Sequence, residues 1–560
     1  MLIKFFKFIL IILLYQSPLY SKSKTFNDFN SSYLSSYFSG IIAYENKDNT
    51  KALKFFQSSK PLIKRHNSYL EKYVYTLVLE GKVHRAIIEV KQNLTENNSN
   101  FFEANLILAL ESLKEKNYKK SKEHLQKSSE LINNDRISLI IVETLKQYLN
   151  VFDEGKISNS KNKFGNFSFI NEIFQRCYLN DKNTETYFSD LVNSENGEYS
   201  RYIFFYINYL IENNRYDDAK NITDNLDYLN SPLLISQGKK WVDDQKPEEI
   251  KKIFSCSNTT DIVSEFFFLV ANLFSAQKNY EKSNFYLNIS HYLNPKFKFN
   301  LSLLAENHYL NEDYVKTLKI LEFFNKNDEF YYWFKLKKEA QIISKKQNKD
   351  KSLEFINLNF KKIKNPSTKI IFDIANFNKN AKKYKEAIKY YDQIISKIDI
   401  NSQLYAEILY RRGSSYERLG DYINSDKDLL KSLKVNPGDA HVLNYLAYSW
   451  LEREYKIDTS LQMLEKAYTT QSNDPYIIDS VGWAYYLIKD YTKAEKFLKS
   501  AVELMPEDPI VNDHYGDILW RLNRKIQARY FWRNVLNLKD TKEDMKKNIN
   551  DKLIEGLNNS

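Results

Sequence analysis

Glycine and proline are both scarce, 12 and 10 residues in a chain of 560. Strand-rich folds need frequent tight turns, so this shortage argues against them and for helices joined by short polar connections. Cysteine is rarer still, at Cys177 and Cys256 only. No CxxC motif exists, so a dithiol redox enzyme is not expected. The two cysteines either pair in an oxidising compartment or stand apart as buried thiols, and their spacing does not choose between these. Beyond the first residues no run is apolar over the roughly 20 positions that span a bilayer. The histidines, His66, His84, His124, His291, His308, His441 and His514, form neither HExxH nor a paired zinc spacing. GxSxG, Walker and GxGxxG signatures are missing too.

What is present is apolar bulk and charge of both signs. Tyrosine (42) and phenylalanine (36) supply ample surface to bury. The chain is too long for one ordinary core, so several domains or a repeat array are expected. The net charge is +11, from 82 basic and 71 acidic residues. These are interspersed without a dense basic block, in a composition rich in Lys, Asn and Ile throughout. A nucleic-acid partner is not expected. The opening stretch "MLIKFFKFILIILLYQSPLYSKSK" has Lys4 and Lys7, then the short apolar run Phe8 to Tyr15, then Pro18. It reads as a cleavable export signal over 1–21 rather than an anchor. No cysteine lies near it to carry a lipid, so a periplasmic location is expected.

A period organises the rest. Small residues recur at Ala271, Ala305, Ala340, Ala375, Gly413, Ala447, Gly482 and Gly516, at spacings of 34, 35, 35, 38, 34, 35 and 34. Gly40, Val74, Ala109 and Ile207 extend the register toward the N-terminus. Twelve residues after each anchor stands another small residue, from Ala52 and Ala86 through Ala494 and Ala528. In the Ala447 unit one inserted residue moves that role from Thr459 to Ser460. Tyrosine recurs nine residues after the anchor, as at Tyr280, Tyr422 and Tyr491, and Pro295, Pro437 and Pro506 close units. The pattern describes two short antiparallel helices pressed together at small residues. A mid-helix glycine costs about 1 kcal/mol, which close packing must offset.

These units resemble the tetratricopeptide repeat, a helix–turn–helix of roughly 34 residues. In one unit the matching positions are Ile478, Val481, Gly482, Tyr485, Tyr491, Ala494, Leu498, Ala501 and Pro506. The resemblance implies an all-α, right-handed superhelical solenoid in which each unit packs only on its neighbours. The expected parts are N-terminal repeats at 22–132, divergent helical repeats at 133–260, middle repeats at 261–404, C-terminal repeats at 405–540, and a charged cap helix and tail at 541–560. "NSKNKFGNFSF" (159–169) is expected to be a loop.

In that family the fifth, ninth and twelfth positions of a unit, with the anchor as eighth, face the concavity. In the last three full units these places hold Asn444, Asp479 and Asp513; Tyr448, Trp483 and Asp517; and Leu451, Tyr486 and Trp520. Asn444, Tyr448, Asp479, Trp483, Tyr486, Asp513, Asp517 and Trp520 are therefore the candidate partner-binding residues. Trp483, Tyr486 and Trp520 are expected at places internal packing does not require. Aromatic rings beside carboxylates suit a protein or peptide partner. Members of the family that grip a terminal carboxylate carry Lys and Asn at the fifth and ninth positions. Here Tyr410 and Ser414, Asn444 and Tyr448, then Asp479 and Trp483 stand there, so a terminal carboxylate is not the expected ligand. Asp513, His514 and Asp517 form the one tight polar cluster. Three groups on one helix do not make a metal shell, and no metal or cofactor is expected.

From Leu409 to Leu538 the sequence also resembles exported tetratricopeptide proteins of Gram-negative bacteria, among them lipoprotein adaptors for a periplasmic processing protease. The likeness runs through Asn444-Tyr445-Leu446, Tyr448-Ser449-Trp450, Gly482-Trp483, Asp513-His514, Gly516-Asp517, Trp520 and Trp532. It implies a non-catalytic envelope scaffold, with proteolysis as the first expectation. A polysaccharide export or assembly factor is the alternative, and an enzyme with an unrecognised site the third.

Overall fold

The computed structural model describes residues 31–64, 66–94, 101–132, 135–158, 164–194, 199–226 and 229–557. The expected export signal lies outside these residues. Among them the chain forms thirty α-helices, one short 3-10 turn and no strand. The all-α expectation is met. Part of the expected 159–169 loop is helical, because Asn166–Tyr178 is an α-helix that starts directly after Gly165. Ile170, Ile173, Phe174 and Cys177, at helical spacing, give that helix a buried face.

Helix pairs are built to one plan. In the pair Pro475–Leu487 and Tyr491–Leu504, Asp474 accepts the N–H groups of Tyr476 and Ile477, and Pro475 takes the first turn, where its missing N–H costs nothing. Lys489 then adopts the left-handed conformation (φ 65°). Asp490 accepts the Lys493 N–H and begins the second helix. The same turn recurs along the chain. Lys47, Lys116, Lys278, Lys382 and Asn523 all take positive φ seven residues after an anchor. Asn117, Asn279, Asp313 and Asp421 cap the helices that follow. The chain therefore turns its hairpins with very little glycine.

The small residues sit where the two helices touch. A Cβ on Gly482 would stand 2.7 Å from Leu498 Cγ and 3.0 Å from the Leu498 backbone nitrogen. On Gly516 it would stand 2.5 Å from Trp532 Cδ1. Second-helix serines reach the anchor's own carbonyl: Ser121 Oγ donates to Ala109 O at 2.7 Å and Ser352 Oγ to Ala340 O at 2.6 Å. In the Ala447 unit Ser460 is buried and Thr459 exposed, as the inserted residue predicts.

Two compact units emerge. Of the described residues, the first comprises those up to Asp224 together with Gln237–Asn325, the second those within 225–236 together with those from Lys326 onward. The first unit departs from neighbour-only packing. Tyr75 stacks on Phe285 with ring centres 4.5 Å apart. Lys316 pairs with Glu80 at 2.7 Å, and Asn288 Nδ2 donates to the Leu79 carbonyl at 3.2 Å. Aromatic side chains beyond those needed between adjacent pairs supply the extra face, and the N-terminal pairs close on helices some 200 positions later. A bidentate ion pair joins Arg201 to the fully buried Glu265, with the guanidinium 3.6 Å above the Phe268 ring. The cysteines are bonded: Cys177–Cys256 ties helix Asn166–Tyr178 to the segment before helix Thr259–Ala276. That last helix is long and apolar enough, by length and composition alone, to cross a membrane, where the sequence expectation had none. In this unit it is a core helix, with Ile262, Val263 and Phe267 fully buried.

The second unit is a run of stacked pairs from Glu329 onward, and one apolar core continues from Ala440 to Ile549. Leu229, from the strip Asn225–Ser236, packs into a separate core with Phe330, Trp333 and Ile370. The buried Lys369 ammonium donates to the carbonyls of Leu229 and Ser231.

Two outcomes follow from this packing. Gly482→Ala is expected to destabilise by about 1–3 kcal/mol, because its methyl meets backbone that cannot move aside. Gly438→Ala, with open space around it, should be near neutral, and urea unfolding of both separates the effects. The disulfide closes a loop spanning 79 residues, so Cys177→Ser with Cys256→Ser should cost about 4 kcal/mol in the first unit. Hydrogen exchange should show that loss there and leave the second unit's protection unchanged.

Candidate functional site

The register places all eight candidate residues on first helices of the second unit. Asn444 and Tyr448 come from Ala440–Glu452, Asp479, Trp483 and Tyr486 from Pro475–Leu487, and Asp513, Asp517 and Trp520 from Pro509–Arg521. The structure gives them different work.

Those on the last two of these helices are used largely to join one element to the next. Asp479 is 4% exposed and accepts the His514 Nδ1 proton at 2.9 Å. Trp483 lies between the His514 ring, 4.1 Å away, and the Tyr486 ring, 4.6 Å away, nearly parallel to both. Asp517 is 5% exposed and accepts from Trp532 Nε1 at 3.0 Å. The final helix, Glu543–Glu555, brings Lys552 between Asp513 (2.7 Å) and Asp517 (2.9 Å). Tyr486 OH accepts from Arg521 Nε at 3.2 Å. Trp520 packs on Trp532, with Gly556 lying directly against its ring. Internal packing does use Trp483, Tyr486 and Trp520, contrary to the expectation from their register. The final helix stands where a further first helix would, so it covers what the period alone leaves open.

Charge explains the electrostatics of this region. Burial pulls His514 below its ordinary value of 6.5, but the carboxylates of Asp479, Asp513 and Asp517 outweigh it and the net shift is upward. Burial and the neighbouring Asp513 push Asp517 up to about 6, against the pull of Lys552. Burial lowers the Lys552 pKa, and Asp517 and Asp513 more than restore it.

Asn444 and Tyr448 border an open pocket instead, and Asp479 reaches it as well. The cavity has a volume of about 500 Å³ and lies on the first-helix face. Around it stand Glu452, Tyr476, Asp508 and Ile510, which the register positions do not include. Tyr476 and Ile510 are 57% and 47% exposed. Both lie six residues before their anchors, one turn ahead of Asp479 and Asp513, so counting back one further turn would have found them. Glu417, Arg418 and Arg453 complete the polar rim. The arrangement offers apolar contact at its mouth and carboxylates within. Among the described residues no group of three His, Cys, Asp or Glu side chains is placed to hold a metal ion.

A family match falls on one of the helix pairs. The tetratricopeptide repeat profile matches residues 406–439, from helix Gln403–Glu417 through Tyr422–Val435 to the next cap. Residues 406–439 thus match one tetratricopeptide repeat. The TPR repeat-containing protein PA4667 of Pseudomonas aeruginosa is 29% identical over 110 residues, 20% of this chain and 18% of that protein. The matched part therefore spans under a fifth of that relative's length. MamA (41 to its end) from Desulfovibrio magneticus RS-1 aligns at 22% identity over 31% of this chain and 97% of its own, with a TM-score of 0.27. TTC0263, a TPR protein of Thermus thermophilus, aligns at 16% identity over 33% and 99%, TM-score 0.29. PilF of Pseudomonas aeruginosa aligns at 15% identity over 34% and 85%, TM-score 0.29.

The His514–Asp479 pair makes stability depend on pH. A histidine whose folded pKa is raised contributes stability that is complete below 6.5 and is lost as pH rises through the folded value. Asp517 acts in the same sense at lower pH, between 3.8 and about 6. Urea midpoints are expected to fall as pH rises above 6.5, and His514→Gln should flatten that fall. An unchanged slope in the variant would place the titration elsewhere.

Proposed function

We propose that this chain is an exported, non-catalytic scaffold that holds a partner protein or peptide on the first-helix face of its C-terminal repeats, in the service of envelope proteolysis. The observation that carries the reading is the open pocket bordered by Asn444, Tyr448 and Asp479, with Tyr476 and Ile510 exposed at its mouth. Stacked helix pairs of this kind present extended binding surfaces, and exposed aromatic and aliphatic side chains beside polar groups suit a peptide. No cofactor takes part in such a role.

Export is supported by two features. Residues 1–21 carry a basic start followed by a short apolar run, the composition of a secretory signal. The cysteines form a buried disulfide, a bond that persists in oxidising compartments and is rare in reducing ones. The proteolysis role rests on the likeness of residues 409–538 to periplasmic adaptors.

Site-specific photo-crosslinking in the producing cell tests this. A photoreactive residue at Tyr476 or Ile510 is expected to give a discrete protein adduct in the exported fraction. The same residue at Ile423, 84% exposed on the second helix Tyr422–Val435, should give none. Absence of a discrete adduct from both pocket positions rules the scaffold reading out, and recovery of the adduct only in the cytoplasm rules out export.

A further inference from the structure

Along the last first helices, each inward carboxylate is met by a cation from the element that follows. His514 meets Asp479, and Lys552 meets Asp513 and Asp517. One pair earlier the series breaks. The residue in register with His514 is Ser480, and its hydroxyl turns back to the Tyr476 carbonyl at 2.8 Å. Serine neither fills the volume of an imidazole nor brings a charge, and the opening of about 500 Å³ lies at this gap.

The opening's own cations already have acidic partners, one outside the opening and one on its rim. Arg453 pairs with Asp426 at 2.8 Å, and Arg418 lies 3.4 Å from Glu417. Glu452 and Asp508 have no basic side chain within ion-pair distance among the described residues, and Glu452 is exposed. Asp508 caps its helix through one oxygen, Oδ1. The Oδ1 of Asn444 is enclosed and accepts no hydrogen bond. Burial, Glu452 and Asp479 raise the Tyr448 hydroxyl pKa, with Asp508 adding to the effect. This is a local acidic opening on a chain whose net charge is +11.

We propose that this opening accepts a lysine or arginine side chain of the partner, in the place that His514 and Lys552 fill in the two pairs that follow. The inference rests on the scaffold reading above and names the chemistry of what it holds. The partner's N–H groups donate to Glu452 and Asp508, and the apolar residues beside that cation pack on Tyr476 and Ile510. Charge-assisted hydrogen bonds of this kind are among the stronger polar contacts, and a neutral isostere leaves the carboxylates unmatched.

The test uses the full chain and fluorescein-labelled peptides of leucine and alanine that differ only in one central residue: Lys, Arg, Gln or Glu. The Lys and Arg peptides are expected to bind about tenfold or more tighter than the Gln peptide, and the Glu peptide not at all. Glu452→Gln combined with Asp508→Asn, which keeps a capping side chain, should remove most of that preference while helicity stays unchanged. Asn444→Lys, which supplies the cation from within, should block the Lys peptide. Equal binding of Lys and Gln peptides, no binding by any peptide, or Lys binding indifferent to these variants overturns the assignment. A crosslinked partner segment from Tyr476 that lacks Lys and Arg also overturns it while leaving the scaffold standing; the loss of every adduct removes the scaffold itself.

Discussion

The rest of the structure depends on how closely two helices of a pair can approach. At Gly482 the first helix comes within contact of the second helix's backbone, and at Ser121 and Ser352 a hydroxyl closes on the partner's carbonyl. This sets the separation of the helices, and the separation sets the turn. A connection so short needs one left-handed residue followed by a cap, and Lys489 with Asp490 supplies both. A non-glycine residue in that conformation costs roughly 1–2 kcal/mol, which the packing of the pair offsets. Repetition of one contact then gives the first-helix face a fixed period, so that residues three before and one after each anchor line up from pair to pair.

That regularity explains why a charge ladder forms. A carboxylate on one first helix finds its complement about 35 residues later, as Asp479 finds His514 and Asp517 finds Lys552. Carboxylates buried to this degree are stable only when matched, because desolvation of a lone charge is costly. The ladder and the open pocket therefore share an origin. Where the next helix offers a cation the face is sealed, and where it offers Ser480 the face stays open. The first unit follows a different rule. Its aromatic surplus, at Tyr75 and Phe285 among others, draws together helices far apart in the chain, and a repeat array that would otherwise unfold piecemeal gains long-range ties.

Much of the fold was legible because it rests on local signals. Anchor, small partner, tyrosine and closing proline are short-range features, and the shift from Thr459 to Ser460 could be read from one extra residue. The closure of the first unit was not legible, since nothing in the period distinguishes an aromatic that meets its neighbour from one that meets a helix some 200 positions on. Disulfide pairing was hidden for the same reason. For the site, position along the period identified the right face but not what covers it. Trp520 and Asp517 carry the register of exposed groove residues, yet the final helix occupies the next first-helix place and takes both. Tyr476 and Ile510 went unselected because the family's groove positions start one turn later.

The short strip Asn225–Ser236 carries a consequence for biosynthesis. It belongs to the second unit, yet both of its flanks belong to the first. As the chain is made from its N-terminus, the strip emerges well before Lys369, the buried ammonium whose protons its carbonyls accept. The first unit has its full complement of residues once Asn325 is made, before the rest of the unit to which the strip belongs. For the same reason no single cut separates the two units intact. A fragment beginning at Lys326 would deprive that buried ammonium of the Leu229 and Ser231 carbonyls.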